Sequence, residues 1–146
     1  MNYEVAKNNY LISTDKNKID INYVQGVLSQ TYWSPGVAIN VVKKAIKGSL
    51  CFGVYKNNKQ IGYARLVTDK ATFGYLADVF IDEKYQGKGL AKWLVEMILA
   101  HPDLKGLRSI LLATKDAHGL YEKFGFIPVA NPERFMVYNP TPHKSK

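Results

Sequence analysis

The stretch from Leu76 to Leu94, Leu-Ala-Asp-Val-Phe-Ile-Asp-Glu-Lys-Tyr-Gln-Gly-Lys-Gly-Leu-Ala-Lys-Trp-Leu, leaves this chain few architectures. Its apolar start, rich in Val, Ile and Phe, predicts a largely buried strand. From Leu90 the spacing turns helical, with Leu90, Leu94, Met97 and Ile98 on one face that must pack on the sheet. Gln86-Gly87-Lys88-Gly89 lies between, where strand becomes helix. A helix N-terminus leaves amides unpaired at the positive end of the helix dipole, and glycine lets an anion approach them without meeting a Cβ. Lys88 adds a full positive charge. The turn therefore predicts an anion cradle suited to phosphate. A purely structural glycine turn would also carry a single Gly-x-Gly; the packed helix behind it fixes where its amides point. Neither a nucleotide-hydrolysing loop ending in Lys-Ser/Thr nor a full G-x-G-x-x-G is present, which implies a different phosphate ligand.

Gln86-Gly87-Lys88-Gly89-Leu90-Ala91 resembles the Q/R-x-x-G-x-G/A signature of the GNAT superfamily of N-acetyltransferases, preceded by a strand of the Asp-Val-Phe-Ile type. Downstream, Leu120-Tyr121-Glu122-Lys123-Phe124-Gly125-Phe126 resembles the Leu-Tyr-x-Lys-x-Gly-Phe segment of the same superfamily. The likeness runs from about Gln60 to Phe126, with both motifs in the expected order. It implies an α/β (α+β) fold with a mixed central sheet of about six to seven strands, flanked by about four helices and opened by a splayed parallel strand pair that binds the cofactor.

The resemblance also implies acetyl-CoA as co-substrate. The amides of Gln86, Gly87, Lys88, Gly89, Leu90 and Ala91 would hold its pyrophosphate, with the Lys88 charge beside it. Its pantetheine arm would lie like an extra strand against Val79, Phe80 and Ile81, where a free N–H could polarise the thioester carbonyl. Thr114 stands where the superfamily often has asparagine and could hydrogen-bond the same arm. Tyr121 occupies the general-acid position. A phenol near pKa ~10 does not hand its proton outright to a thiolate of pKa ~8.5, a step about 2 kcal/mol uphill, but it can hydrogen-bond the sulfur as charge develops.

The base is left open. Two positions on the central strand that often carry glutamate or histidine in relatives hold Tyr75 and Ala77 here. Asp78 is adjacent, yet strict alternation aims it at the opposite face, and only a β-bulge would bring it round. Asp116 and His118, near Tyr121, are alternatives, as is water relayed to solvent. Tyr32 and Trp33 have two readings: they staple two helices to the sheet, or they wall the pocket that receives the amine. The expected acceptor-side residues are therefore Tyr32, Trp33 and Asp78.

The expected reaction is direct acetyl transfer to a primary amine of an acceptor expected to be a small molecule, with small amines, amino acids, antibiotics and protein N-termini all open; a non-catalytic module that binds CoA or its acyl esters is the competing reading. The net charge of +8 favours anionic ligands without choosing among them. Nucleic acid is not expected, because neither clustered arginines nor an aromatic stacking motif accompanies the charge. No metal is expected. No apolar run approaches the ~20 residues of a membrane span, and the start lacks a basic-then-apolar leader pattern, so the expected location is cytoplasmic. Cys51, the single cysteine, sits in Leu50-Cys51-Phe52 and reads as a small core residue rather than a catalytic thiol. A homodimer is compatible with the sequence but not required by it.

With 146 residues, the chain suits one domain, expected over 1–138, with 139–146 as a flexible tail. Asp20 predicts the N-cap of a helix to about Ser29. Ser34-Pro35 predicts a second helix running to near Gly48. Ser49 to Tyr55 and Gln60 to Val67 form an expected hairpin, in which Arg65 would pair with Asp69. Tyr75 to Ile81 and Leu107 to Thr114 are the expected parallel pair joined by a right-handed crossover. A short helix opened by Asp116 and closed by Gly125 follows. Phe126 to Val129 and Arg134 to Tyr138 are expected as the last two strands.

Overall fold

The computed structural model describes residues 2–140; residues 141–146 of the expected tail lie outside them. One six-stranded sheet runs in the order β1 (Glu4–Lys7), β2 (Tyr10–Ser13), β3 (Leu50–Lys56), β4 (Lys59–Thr68), β5 (Phe73–Ile81) and β6 (Ser109–Leu112). Neighbours are antiparallel from β1 to β5, and β5 and β6 are parallel. The helices are α1 (Ile21–Leu28), α2 (Ile39–Lys47), α3 (Leu90–Leu99) and α4 (His118–Glu122). The mixed sheet with its parallel pair and four helices is the expected fold.

Two hairpins set the antiparallel half. Each turns on an asparagine pair, Asn8-Asn9 and Asn57-Asn58, with φ of 51° and 70° and of 50° and 66°. Positive φ at both central residues gives a turn whose twist matches paired strands, and asparagine tolerates it best after glycine. The sheet then separates two cores. On one face α3 buries Leu90, Trp93, Leu94, Val95 and Ile98 against Phe52, Val54, Ile61 and Leu66. On the other, α1 and α2 bury Val24, Leu28, Val42 and Ile46 against Cys51 and Tyr63. Cys51 is fully buried, as its apolar run predicts.

The α1 cap is the one expected: the Asp20 carboxylate accepts from the Tyr23 amide at 3.0 Å. The start of α2 is not. Ser34-Pro35 lies in a loop, because Gly36 takes φ +68° and its amide donates to the Ser29 carbonyl at 2.9 Å, so the helix begins only after Ala38. The expected Arg65–Asp69 pair is also absent. Asp69 instead accepts from the amides of Ala71 and Thr72 at 2.8 and 2.7 Å, closing its own turn and holding its carboxyl well below the usual range.

The last two expected strands do not form in this chain. Phe126 to Val129 and Phe135 to Tyr138 are irregular, with a short 3-10 turn at Pro132–Arg134 between them. A strand needs a neighbour to complete its ladder, and no strand among the described residues pairs with either segment.

Candidate active site

The cradle forms at the end of β5. The Asp82 carboxylate accepts from the Lys84 amide at 3.0 Å and from the Tyr23 hydroxyl at 3.1 Å, fixing the exit of the strand. Gln86 Nε2 donates to the Ile81 carbonyl at 2.9 Å, drawing the glycine turn back on that strand. Gly87 and Gly89 both take φ +79°, with open space where a Cβ would stand. Gly89 is the N-cap of α3 and offers no side chain to its amides. The first intrahelical bond runs from Trp93 N to Gly89 O at 3.0 Å. The amides of Leu90, Ala91 and Lys92 are therefore left for an external acceptor.

From the cradle a cleft of about 1010 Å³ opens between β5 and β6. The parallel pairing stops at Leu76 opposite Leu112, while β5 continues to Ile81. Just past the last parallel pair, β5 carries an extra residue. Arg65 pairs with Ala77 and Tyr63 with Phe80, so Asp78 and Val79 together oppose Ala64. Asp78 sits at this bulge with φ +56°. The bulge changes the alternation and brings the Asp78 side chain to the face bearing α1 and α2. That corrects the aim given by simple alternation.

There Asp78 is held by two donors. Arg65 Nε lies 2.8 Å from Oδ2, and Trp33 Nε1 lies 2.9 Å from Oδ1. Arg65 also reaches Ser49 Oγ at 3.3 Å. Next to Trp33, the Tyr32 hydroxyl accepts from the Lys115 amide at 3.2 Å, and the Lys115 ammonium stands 5.2 Å from the Tyr32 ring centre. Consecutive aromatic residues on the α1–α2 loop thus bond to either side of the splay, one to β5 and one to the β6–α4 loop. Tyr32 is 59% and Trp33 41% exposed, and both line the cleft. They wall the cleft and, through these same bonds, also tie the loop between the two helices to the sheet.

Tyr121 closes the cleft from α4. It is buried, with its ring 5.7 Å from Phe126 in an edge-to-face contact. Its hydroxyl makes no hydrogen bond with a described residue, and burial pushes the phenol up from its ordinary value. Thr114 Oγ1 accepts from the Ala117 amide at 3.0 Å, shaping the turn into α4, and its own proton remains free to donate.

Of the residues named from sequence, the cleft wall includes Tyr32, Trp33, Asp78, Val79, Phe80, Ile81, Gln86, Gly87, Gly89, Leu90, Ala91, Thr114 and Tyr121. Lys88 is exposed and lies outside that wall. Asp116 lines the cleft, whereas His118 lines a separate groove. Sequence reasoning missed Lys92, Lys115 and Lys123, which make the wall basic. Lys92 follows the signature by one residue on the first turn of α3 and was the accessible signal. Arg65 was paired with the wrong acid because its true partner depends on the bulge.

The Acetyltransferase (GNAT) domain family matches residues 47–128 of the chain. A crystal structure of a Xanthomonas campestris protein belonging to that family superposes with a TM-score of 0.89 at 41% identity, covering 96% of this chain and 100% of the other. The Gibberella zeae protein FG08082, named as an acetyltransferase, is 29% identical over 141 residues, 81% of this chain and 78% of its own length. A Clostridium acetobutylicum protein crystallised with acetyl-CoA shares the fold with a TM-score of 0.66 at 16% identity, covering 94% of this chain and 99% of the other.

Proposed function

This chain belongs to the GNAT family of acetyltransferases, and we propose that it moves the acetyl group of acetyl-CoA directly to the primary amine of a small-molecule acceptor, both substrates bound at once. The observation that carries the reading is the single cleft that joins the unpaired amides of α3 to the Tyr121 phenol through the gap between β5 and β6. A fold neighbour from Clostridium acetobutylicum was crystallised with acetyl-CoA, which supports the choice of donor.

In this reading, the pyrophosphate lies on the amides from Gly89 to Lys92, and the basic wall of Lys92, Lys115 and Lys123 favours its charge. The pantetheine arm runs along the unpaired edge of β5 at Val79, Phe80 and Ile81, within reach of the Thr114 hydroxyl. The amine enters from the side of Tyr32, Trp33 and Asp78. Its nitrogen lone pair forms the C–N bond at the thioester carbon as the C–S bond breaks, and the electron pair leaves on sulfur. A β5 amide stabilises the carbonyl oxygen as it gains charge. Tyr121 donates a hydrogen bond to the departing sulfur. The nitrogen sheds its extra proton to water in the open end of the cleft.

Both oxygens of Asp78 are engaged by Arg65 and Trp33, so Asp78 works as a positioning residue: it fixes the indole beside the acceptor path. The aromatic pair lining the cleft favours a compact amine.

The reading is tested by titrating acetyl-CoA calorimetrically and assaying CoA thiol release against a panel of polyamines, amino sugars, amino acids and arylalkylamines. Micromolar-range binding with turnover of one class is expected. Tight binding with no turnover on any class would favour the non-catalytic module, and no binding would remove both readings.

A further inference from the structure

Three exposed aromatic rings line the cleft. Tyr32 and Trp33 meet edge to face with ring centres 5.1 Å apart, and Tyr75 from β5 adds a third. The acids of the same wall are Asp78 and Asp116. Asp78 is closed to a ligand, because its side chain is only 9% exposed and its two oxygens are taken by Arg65 and Trp33. Asp116 is exposed.

The bases of the wall are placed differently from one another. Lys92 lies on the first turn of α3 beside the cradle, and Lys123 follows the end of α4. Lys115 belongs to the aromatic side: its amide donates to the Tyr32 hydroxyl at 3.2 Å, and its ammonium stands 5.2 Å from the centre of that ring. The ion pairs among the described residues are Lys18–Glu4, Arg65–Asp78 and Lys70–Asp103, so Lys115 has no acid partner there. An ammonium over a ring face keeps N–H donors for an anionic oxygen.

We propose that Lys115 is a specificity residue, selecting an acceptor that carries an anionic group, carboxylate or phosphate, beside its primary amine. The inference rests on the acetyl-transfer reading above and narrows its acceptor. The aromatic rings take the apolar body of such a molecule, and Lys115 takes its anion through a charge-assisted hydrogen bond. Pairing that anion also removes a charge that would keep the acceptor's own ammonium protonated, so the neutral amine that attacks the thioester is easier to reach. A polyamine fares worse, because its second ammonium finds Asp78 already taken and meets repulsion from Lys115.

The test is CoA thiol release by the full chain with acceptors taken in pairs, phenylalanine against phenethylamine and aminoethyl phosphate against ethylamine, with putrescine alongside. In at least one pair the anionic member is expected to have a kcat/KM at least about tenfold higher, and which pair responds tells carboxylate from phosphate. Lys115→Met keeps the amide bond to Tyr32 and should bring the ratio within that pair close to one, chiefly by raising KM for the anionic member; Lys115→Arg should restore most of it. The ratio cancels any change in acetyl-CoA affinity, which both members share. Preference for the uncharged members would overturn the inference and leave the transferase reading standing, as would an anionic preference that survives Lys115→Met. Putrescine as the best acceptor would point to Asp116 and overturn it too. Acetyl-CoA binding without transfer to any of these amines or to the wider amine panel would take down the transferase reading, and this inference with it.

Discussion

Trp33 donates its indole N–H to the carboxylate of Asp78 at 2.9 Å, tying the α1–α2 loop to the one residue of β5 that the bulge pushes out of register. The bond joins residues 45 apart in sequence, and Arg65 holds the opposite oxygen at 2.8 Å. Loop position, bulge and buried charge therefore form one unit.

Replacing Asp78 by Asn should loosen that unit. Arg65, mostly buried, loses its ionic partner, and a charged hydrogen bond of this kind contributes about 1.5–3 kcal/mol. Urea denaturation should show a loss of that order. Turnover should show a raised KM for the amine with the affinity for acetyl-CoA unchanged. Trp33→Phe in the same background should add less than it does alone, since the two changes break one contact.

Tyr121→Phe keeps the ring on Phe126 and removes only the hydroxyl. The fold and acetyl-CoA affinity should persist while kcat falls by about 100-fold or more, the range for losing one hydrogen-bond donor aimed at charge that develops in the transition state. Normal turnover in this variant would remove the assigned role.

At Gly89 a side chain meets two obstacles. The φ of +79° strains any L residue by about 1–2 kcal/mol, and a methyl group would take up space that is open beside the cradle. Gly89→Ala should bind acetyl-CoA at least about tenfold more weakly, equivalent to about 1.4 kcal/mol. Unchanged affinity by calorimetry would place the pyrophosphate elsewhere.

The alkaline limb of stability should be set by tyrosines. Tyr23, Tyr55, Tyr63 and Tyr121 are all pushed above the usual phenol value, burial being the largest cause in each. Unfolded, these phenols ionise near pH ~10; folded, they keep their protons to higher pH. The native state then binds more protons, and stability falls as pH rises between the two values. Urea midpoints should be insensitive to these groups up to about pH 9 and should drop above about pH 10. Phenolate absorbance showing all 10 tyrosines titrating near the ordinary value in a still-folded protein would contradict it.

How legible the molecule was in its sequence varied with the range of the forces involved. Asp20 could be read as a cap because its partner, the Tyr23 amide, is three residues away. The glycine turn and α3 were equally local. Ser34-Pro35 misled for the same reason: a sound cap signal was overruled by Gly36, whose amide reaches back to Ser29. Nothing in Leu76 to Phe80 marks the extra residue, since a bulge is a relation between two strands, and so Arg65 was given Asp69 in place of Asp78. Phe126 to Val129 and Arg134 to Tyr138 have strand composition, yet composition supplies no partner. The signature residues around Gln86 and Tyr121 were readable because turn and helix place them without long-range help. Lys92, Lys115 and Lys123 were not, because only the closed fold gathers them at one wall.

The bonds from Trp33 to Asp78 and from the Lys115 amide to Tyr32 make the α1–α2 loop a crossbar over the gap between β5 and the β6–α4 loop. Widening that gap must strain one of the two, so the mouth of the cleft and the spread of its strands change together.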